Sequence, residues 1–392
     1  MGKPERSQLP TPDSQLPKLD PLGIYVHIPF CSSICNYCNF NRGLLDSDLK
    51  ARYVEALLQE IASAPSGTRA DTIFFGGGTP SLLEADEIAS IVDAVRARVE
   101  LDPGSEITLE TNPETVDRGK LERFRAAGVN RLSFGVQSFR DAELKRLGRI
   151  HSAERARVAV REARAAGFDN VSLDLMMWLP GQAVNDWLAN VDALIAADPE
   201  HASLYLLELY PNAPLKEDMA RSGWSLAPDD DAAEMYERGM EKLESAGFHQ
   251  YEISNVARPG RESRHNLKYW TDGEWLAFGC GAHGTFRGER WKNVSATEEY
   301  VSRVTGGRTA IAERRPLSAE VRLEEALFTG LRLTAGLDLD RFARRYGVDV
   351  WGRFGDRLQP FVEAGWLVHG SGRLRLTRAG MLMANEVMAV FV

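Results

Sequence analysis

Short apolar runs alternate with stretches of helical period through the first half of the chain. Segment 23–28 (GIYVHI) is apolar almost throughout and predicts a strand. From Ser47, the spacing of Leu49, Tyr53, Leu57 and Ile61 predicts a helix with one buried stripe. Segment 72–75 (TIFF) predicts a second strand that runs into the loop GGGTPS, and Ile88, Ile91, Val92 and Val95 mark the next helix. Segments 106–110, 131–136, 170–175 and 203–209 supply strands three to six, with helical stretches between them, among them the charged 153–166. Six β-α units in series, roughly 30–40 residues each, imply an α/β fold with parallel strands and right-handed crossovers.

After Leu209 the alternation stops. Segment 211–315 reads as a connecting region, with a helix around 231–246, the stretch HQYEISNVARPGRESRHNLKYW and the glycine-rich turn FGCGAHGTF. From about 317 the pattern predicts helices at 319–333, 337–346 and 354–364. A strand WLVHG, a turn at Ser371–Gly372, a strand RLRLT and a closing helix at 379–391 follow. The expected organisation is therefore a tail (1–20), a β/α domain (21–210), the connection (211–315) and a mainly helical, winged-helix-like C-terminal domain (316–392).

Composition narrows the function. A net charge of −9 over 392 residues argues against a protein that coats nucleic acid. No apolar run reaches the roughly 18 residues of a membrane span. The first twenty residues are Pro-rich and polar and lack the apolar core of a secretory signal, so a disordered tail and a cytoplasmic location are expected. Three of the four cysteines, Cys31, Cys35 and Cys38, fall within eight residues, and the fourth is Cys280. In a reducing compartment such clustering marks a metal or redox site.

The predicted strands bring that cluster company. The cysteines follow strand one, Gly76, Gly77, Gly78 and Thr79 follow strand two, and Glu110 ends strand three. Gln137 follows strand four, Asp174 lies near the end of strand five, and Glu208 lies near the end of strand six. All sit at carboxyl ends of strands, the rim where β/α barrels build their sites. Cys31-x3-Cys35-x2-Cys38 supplies three thiolate ligands, so a four-iron cubane would keep one iron open. The competing reading is a structural zinc, which needs a fourth ligand from Cys280 or a histidine.

The C-x3-C-x-aromatic-C loop after a first strand resembles the radical SAM superfamily. Within it, IYVHIPFCSSICNYCNF, GGGTPS, TLETNPE, RLSFGVQSF, LGRIH and DLMMWLPGQ resemble, in order, the oxygen-independent coproporphyrinogen III oxidase-like group. The resemblance runs from about Gly23 to the C-terminus. It implies a partial (β/α)6 TIM-like barrel, a [4Fe-4S] cluster on Cys31, Cys35 and Cys38, and S-adenosylmethionine (SAM) held by Tyr25, Gly77, Gly78, Thr79, Glu110, Gln137, Arg149 and Asp174. Tyr37 would shield the cluster or pack on the adenine. His27 and His151 would support this site, and Glu208 aligns only loosely.

The group holds porphyrinogen decarboxylases and HemW-type heme chaperones. The oxidases place a further cysteine two residues after the third ligand, where this chain has Phe40; the chaperone branch has CxxxCxxCxF and HNxxYW, here His265-Asn266-Leu267-Lys268-Tyr269-Trp270. The resemblance thus implies a heme chaperone, with His265 on the heme and Tyr269 and Trp270 against the macrocycle, and heme and heme-acceptor proteins as partners. Cys280 and His283 are further candidate ligands. Transient contact with a membrane protein and a homodimer stay open, and nucleic acid is not an expected partner. The alternatives are the oxidase itself, another radical SAM enzyme, or a zinc-stabilised interaction protein. One departure is Met177-Trp178, where many relatives carry a glycine before Leu-Pro; that bulk either narrows the substrate side of the barrel or is lineage variation only.

Overall fold

The computed structural model describes residues 21–392, so the tail reading for 1–20 lies outside the described residues. The six expected strands are β1 (Leu22–Ile28), β2 (Thr68–Gly77), β3 (Val99–Thr111), β4 (Arg131–Gln137), β5 (Val171–Met177) and β6 (His201–Leu206). Each pairs in parallel with the next. Between them lie α1 (Ser47–Ala62), α2 (Ala85–Arg96), α3 (Arg118–Ala126), α4 (Asp141–Arg146), α5 (Ala153–Ala165) and α6 (Val184–Ala197). β1 is buried at six of its seven positions, which is why its sequence runs apolar instead of alternating. The α1 stripe of Tyr53, Leu57 and Ile61 is buried in the same core, and Asp46 caps the helix by accepting from the Leu49 N–H.

The strands continue beyond β6. After α7 (Pro214–Ser222) and α8 (Asp229–Ser245) come β7 (His249–Glu252), β8 (Asn255–Ala257), α9 (Arg264–Trp270), β9 (Trp275–Phe278), β10 (His283–Phe286), β11 (Glu289–Asn293), α10 (Thr297–Thr305) and β12 (Ile311–Pro316). The twelve-stranded sheet runs β12-β11-β10-β9-β1-β2-β3-β4-β5-β6-β8-β7. β1 pairs with β9 instead of closing onto β6, so the barrel is partial and has an open side. The strands of 249–316 span three to six residues, too short for a period to show in the sequence, and they enter as added edges of the sheet.

The C-terminal unit has α11 (Ala319–Gly330), β13 (Leu337–Asp338), α12 (Leu339–Tyr346), α13 (Val350–Glu363), β14 (Leu367–Gly370) and β15 (Arg373–Leu376). β15 pairs antiparallel with both β13 and β14, giving the helix-strand-helix-helix-hairpin order of a winged helix. The closing helix divides at Met383 into Arg378–Leu382 and Ala384–Met388, followed by one 3-10 turn. No helix among the described residues is long and apolar enough to cross a membrane.

Candidate cofactor site

The cysteine loop is pinned by its own backbone. Phe30–Cys31 pairs in parallel with Gly43–Leu44, closing the loop at its base. The end of β2 is laced to it: the Gly78 N–H donates to the Ile28 carbonyl (2.8 Å) and the Thr79 N–H to the Phe30 carbonyl (2.7 Å). Gly77 and Gly78 make this approach feasible. Gly77 has φ +117°, and a Cβ there would sit 2.6 Å from the His27 ring; a Cβ on Gly78 would sit 2.7 Å from the Phe30 carbonyl oxygen. The glycines are therefore required by loop-to-loop packing before any ligand is considered. Thr79 Oγ1 donates toward the Cys31 thiol at 3.6 Å.

One cavity of about 440 Å³ opens at this rim. Its wall contains Cys31, Cys35 and Cys38 together with Tyr37, Gly77, Gly78, Thr79, Glu110, Gln137, Arg149 and Asp174. Glu110 accepts from the Gly77 N–H at 3.1 Å, and Asp174 accepts from the Ser133 hydroxyl at 3.2 Å. Burial, reinforced by the neighbouring Asp174 carboxylate, pushes Glu110 up to about 8; burial pushes Asp174 up to about 6. Arg149 donates to the Asn112 side chain and the Gly135 carbonyl, each at 2.8 Å, and toward the Cys35 thiol at 3.5 Å. Its Nε is buried without a partner among the described residues. Gln137 sits at φ +67°, where the β4–β5 register breaks. A non-glycine residue held in the left-handed region is strained, and such strain concentrates at functional sites.

These residues fit the expected groups. Three thiols from one loop surround a cavity, and burial raises the pKa of both Cys31 and Cys38. A bound cationic iron core would reverse that shift. Among the described residues no three His, Cys, Asp or Glu side chains close on the spacing of a single ion. The donor set suits a cluster better than a lone tetrahedral ion. An acidic pair facing an arginine with a free donor suits a ligand with both cationic and carboxylate ends.

Tyr25, His265, Tyr269 and Trp270 lie outside that cavity wall. Tyr25 donates to or accepts from His27 Nδ1 at 3.0 Å and stacks near Phe74, whose ring centroid is 6.3 Å away. Phe74 stacks in turn on His265 at 5.1 Å. His265 belongs to α9, which seals the amino-end floor of the barrel. Its N–H and that of Arg264 both donate to Glu106 near the centre of β3, and a Cβ on Gly23 would sit 3.0 Å from its ring. Only 1% of His265 is exposed, and both ring nitrogens are engaged, with Thr72 Oγ1 at 2.8 Å and the Tyr269 hydroxyl at 2.9 Å. Burial lowers its pKa to about 3, so the ring is neutral. The i, i+4 spacing of His265 and Tyr269 puts them on one helical face, and that face is turned inward. The structure thus brings the three cysteines and seven of the SAM candidates together and sets the HNLKYW segment outside that cavity wall, on the floor beneath Phe74.

Asn112 is a site residue that the sequence reading passed over. Its amide donates to Thr79 Oγ1 at 3.2 Å while its carbonyl holds Arg149, so it bridges two predicted contacts. Its position two residues after Glu110, beyond the strand end, was the available signal. Trp178 speaks against the narrowing reading of Met177-Trp178. Its indole N–H donates to the Ala227 carbonyl at 2.8 Å, away from the cavity, and Met176 lines the wall instead. Trp178 has φ +62°, the conformation a glycine adopts freely. Cys280 is fully buried, its sulfur 3.6 Å from the Asn41 amide, and His151 is held by the Val136 carbonyl and Glu114. Glu208 lines the mouth and accepts from Tyr210.

The mouth itself is apolar. Among the described residues, eleven large hydrophobic side chains are exposed, and eight of them, Ile34, Phe40, Leu44, Leu45, Ile150, Tyr205, Leu206 and Tyr210, belong to the segments that frame this cavity. Phe40, Tyr205, Leu206 and Tyr210 line the cavity itself.

Residues 25–194 match the radical SAM superfamily, and residues 317–383 match the HemN C-terminal domain. The protein called heme chaperone HemW in Bacillus subtilis (strain 168) is 38% identical over 374 residues, covering 94% of this chain and 98% of that one. Heme chaperone HemW of Escherichia coli (strain K12) is 35% identical, covering 96% and 99%. The mitochondrial radical S-adenosyl methionine domain-containing protein 1 of Bos taurus is 36% identical, covering 96% and 88%. Among solved structures, coproporphyrinogen III oxidase (HemN) from Escherichia coli, a radical SAM enzyme, superposes with a TM-score of 0.84 at 22% identity, over 95% of this chain and 90% of that one. That likeness shows the fold.

Proposed function

The chain belongs to the HemW heme-chaperone family of the radical SAM superfamily, and we propose that it binds heme and passes it to acceptor proteins. The observation that carries the site assignment is the single cavity in which Cys31, Cys35 and Cys38 meet Gly77, Gly78, Thr79, Glu110, Gln137, Arg149 and Asp174. In this reading the three thiols hold a [4Fe-4S] cluster and the other residues hold SAM. When bound, that pair supplies one-electron chemistry at an open iron. Arg149 orients the SAM carboxylate through its unpartnered Nε, Glu110 and Asp174 receive the amino and ribose groups, and Tyr37 shields the loop. Tyr25 supports the site from below through His27.

Phe40 at the mouth favours a chaperone over a decarboxylase. It is 66% exposed on the cavity rim, where the oxidases place a cysteine. The apolar mouth then serves the acceptor, which must approach closely enough to receive an insoluble planar ligand. His265 enters heme binding only when α9 leaves the floor, because both of its ring nitrogens are already bonded.

The test uses anaerobically reconstituted protein. Heme is titrated, transfer to an apo-hemoprotein is followed by its Soret band, and coproporphyrinogen III is supplied with SAM and reductant in parallel. Stoichiometric heme binding with transfer and no turnover is expected. Formation of protoporphyrinogen IX would replace this reading with the oxidase.

A further inference from the structure

A second large cavity lies on the outer face of the sheet, remote from the cysteine loop. It has a volume of about 750 Å³, within the roughly 300–1,000 Å³ typical of cofactor-sized ligands. The last turn of α1, strands β9 to β11, the end of α10 and the start of β12 enclose it. Leu276, Phe278, Phe286 and Trp291 form apolar walls. Gly284 seats one of these walls: a Cβ there would collide with the Trp291 indole at 2.1 Å, so that ring lies across the paired strand.

The rim is basic. Arg287, Arg308 and Arg314 all line the cavity. Arg314 is near Glu289 at 3.7 Å, whereas Arg287 and Arg308 take part in none of the ion pairs found among the described residues; the Arg287 guanidinium lies 4.8 Å over the Phe286 ring. The other acid on the wall, Glu60, is turned inward. It accepts from the Gly279 N–H (2.8 Å), the Asn293 amide (2.7 Å) and the Tyr300 hydroxyl (2.6 Å). Arg287 also carries backbone strain. It occupies the first position of the two-residue turn between β10 and β11 at φ +51°, a place that favours Asn or Gly. An arginine kept there at a conformational cost points to use of its side chain.

The geometry points to this groove as a seat for a tetrapyrrole, its flat face against Trp291 and its two carboxylates on Arg287 and Arg308. This inference rests on the heme-chaperone reading for the identity of the ligand. Among the described residues no His, Cys, Met or Tyr lines the groove, so the seat grips the ring and its carboxylates and leaves the central metal unligated. Such a hold suits a ligand that is to be released again. It also gives the groove a signature: metal-free protoporphyrin IX binds it about as well as heme does.

The experiment titrates the full-length, cluster-reconstituted chain with protoporphyrin IX by fluorescence anisotropy and with heme by absorbance. Wild type is compared with Arg287→Ala/Arg308→Ala and with Thr309→Trp, which fills the groove from an exposed position. The double variant should weaken protoporphyrin IX about tenfold, two solvent-facing charge pairs at about threefold each. Thr309→Trp should abolish the binding, and circular dichroism checks that each variant is folded. Protoporphyrin IX binding that ignores both variants, with heme binding intact, overturns the groove and leaves the chaperone reading standing. A wild-type chain that binds neither ligand overturns both.

Discussion

Glu110 and Asp174 set the chemistry of the cavity at the scale of single residues. Both carboxyls titrate above their ordinary range, at about 8 and about 6, because burial disfavours the charged form. A raised carboxyl pKa means the folded apo protein holds protons that the unfolded chain has released. Its stability contribution is present at low pH and is lost as pH rises through about 6 and then about 8. A cationic ligand reverses the shift and expels the protons. SAM affinity is therefore expected to rise between pH 6 and 8, with proton release visible as a buffer-dependent heat in calorimetry, and Glu110→Gln should flatten the profile. Equal affinity at both ends of that range would sink the assignment. Asn112 makes a second prediction. Asn112→Ala frees Arg149 and Thr79 together, and the loss of two hydrogen bonds of about 1 kcal/mol each should weaken SAM about tenfold or more. Iron content should not change, because Asn112 touches none of the three thiols.

At the scale of elements, the segment 265–270 was visible in the sequence but its place was not. Composition offered a histidine followed by two aromatics; nothing local says that α9 folds under the barrel. That position depends on Thr72 and Glu106, each more than 150 residues away in the chain, and on the space that Gly23 leaves. By contrast, the glycine loop and the ends of β1 to β6 were legible, because each strand announces itself by an apolar run with glycine, cysteine or polar residues near or just beyond its carboxyl end. The plug makes a prediction. If His265 is a heme ligand, as the proposed function has it, heme reaches it only after the bonds to Thr72 and Tyr269 break, and those bonds then oppose heme binding. Thr72→Val removes one of them with little change of shape. It should cost about 1 kcal/mol of stability and strengthen His265-dependent heme binding about fivefold. Heme affinity that does not respond to Thr72→Val would mean that α9 is a structural floor and nothing more.

The whole molecule is joined by contacts the sequence could not announce. The edge strands β7 to β12 are short, and the fit of the C-terminal unit against them depends on side chains scattered from 251 to 334. Arg332 is the centre of that fit. Its guanidinium pairs at 2.8 Å with Glu252, a carboxylate with no exposure, while its carbonyl accepts from the Ile253 N–H. The same guanidinium lies 4.5 Å above the Trp270 ring at the end of α9. The Thr334 N–H adds a bond to the Tyr251 carbonyl. One arginine thus ties the C-terminal unit to the sheet edge and to the barrel floor at once. Arg332→Met keeps much of the stem packing but leaves Glu252 buried without a counter-charge. Removing one partner of a buried pair costs about 3–5 kcal/mol; the quarter exposure of Arg332 lowers that to roughly 2–4 kcal/mol here. The loss should appear as a lowered unfolding midpoint and, in hydrogen exchange, as faster opening of both α9 and α11. Glu252→Gln added to Arg332→Met should recover part of the stability, since it removes the stranded charge. If Arg332→Met instead lowers protection in the C-terminal unit alone, then the floor and that unit are not coupled through this residue, and α9 opens independently of what docks behind it.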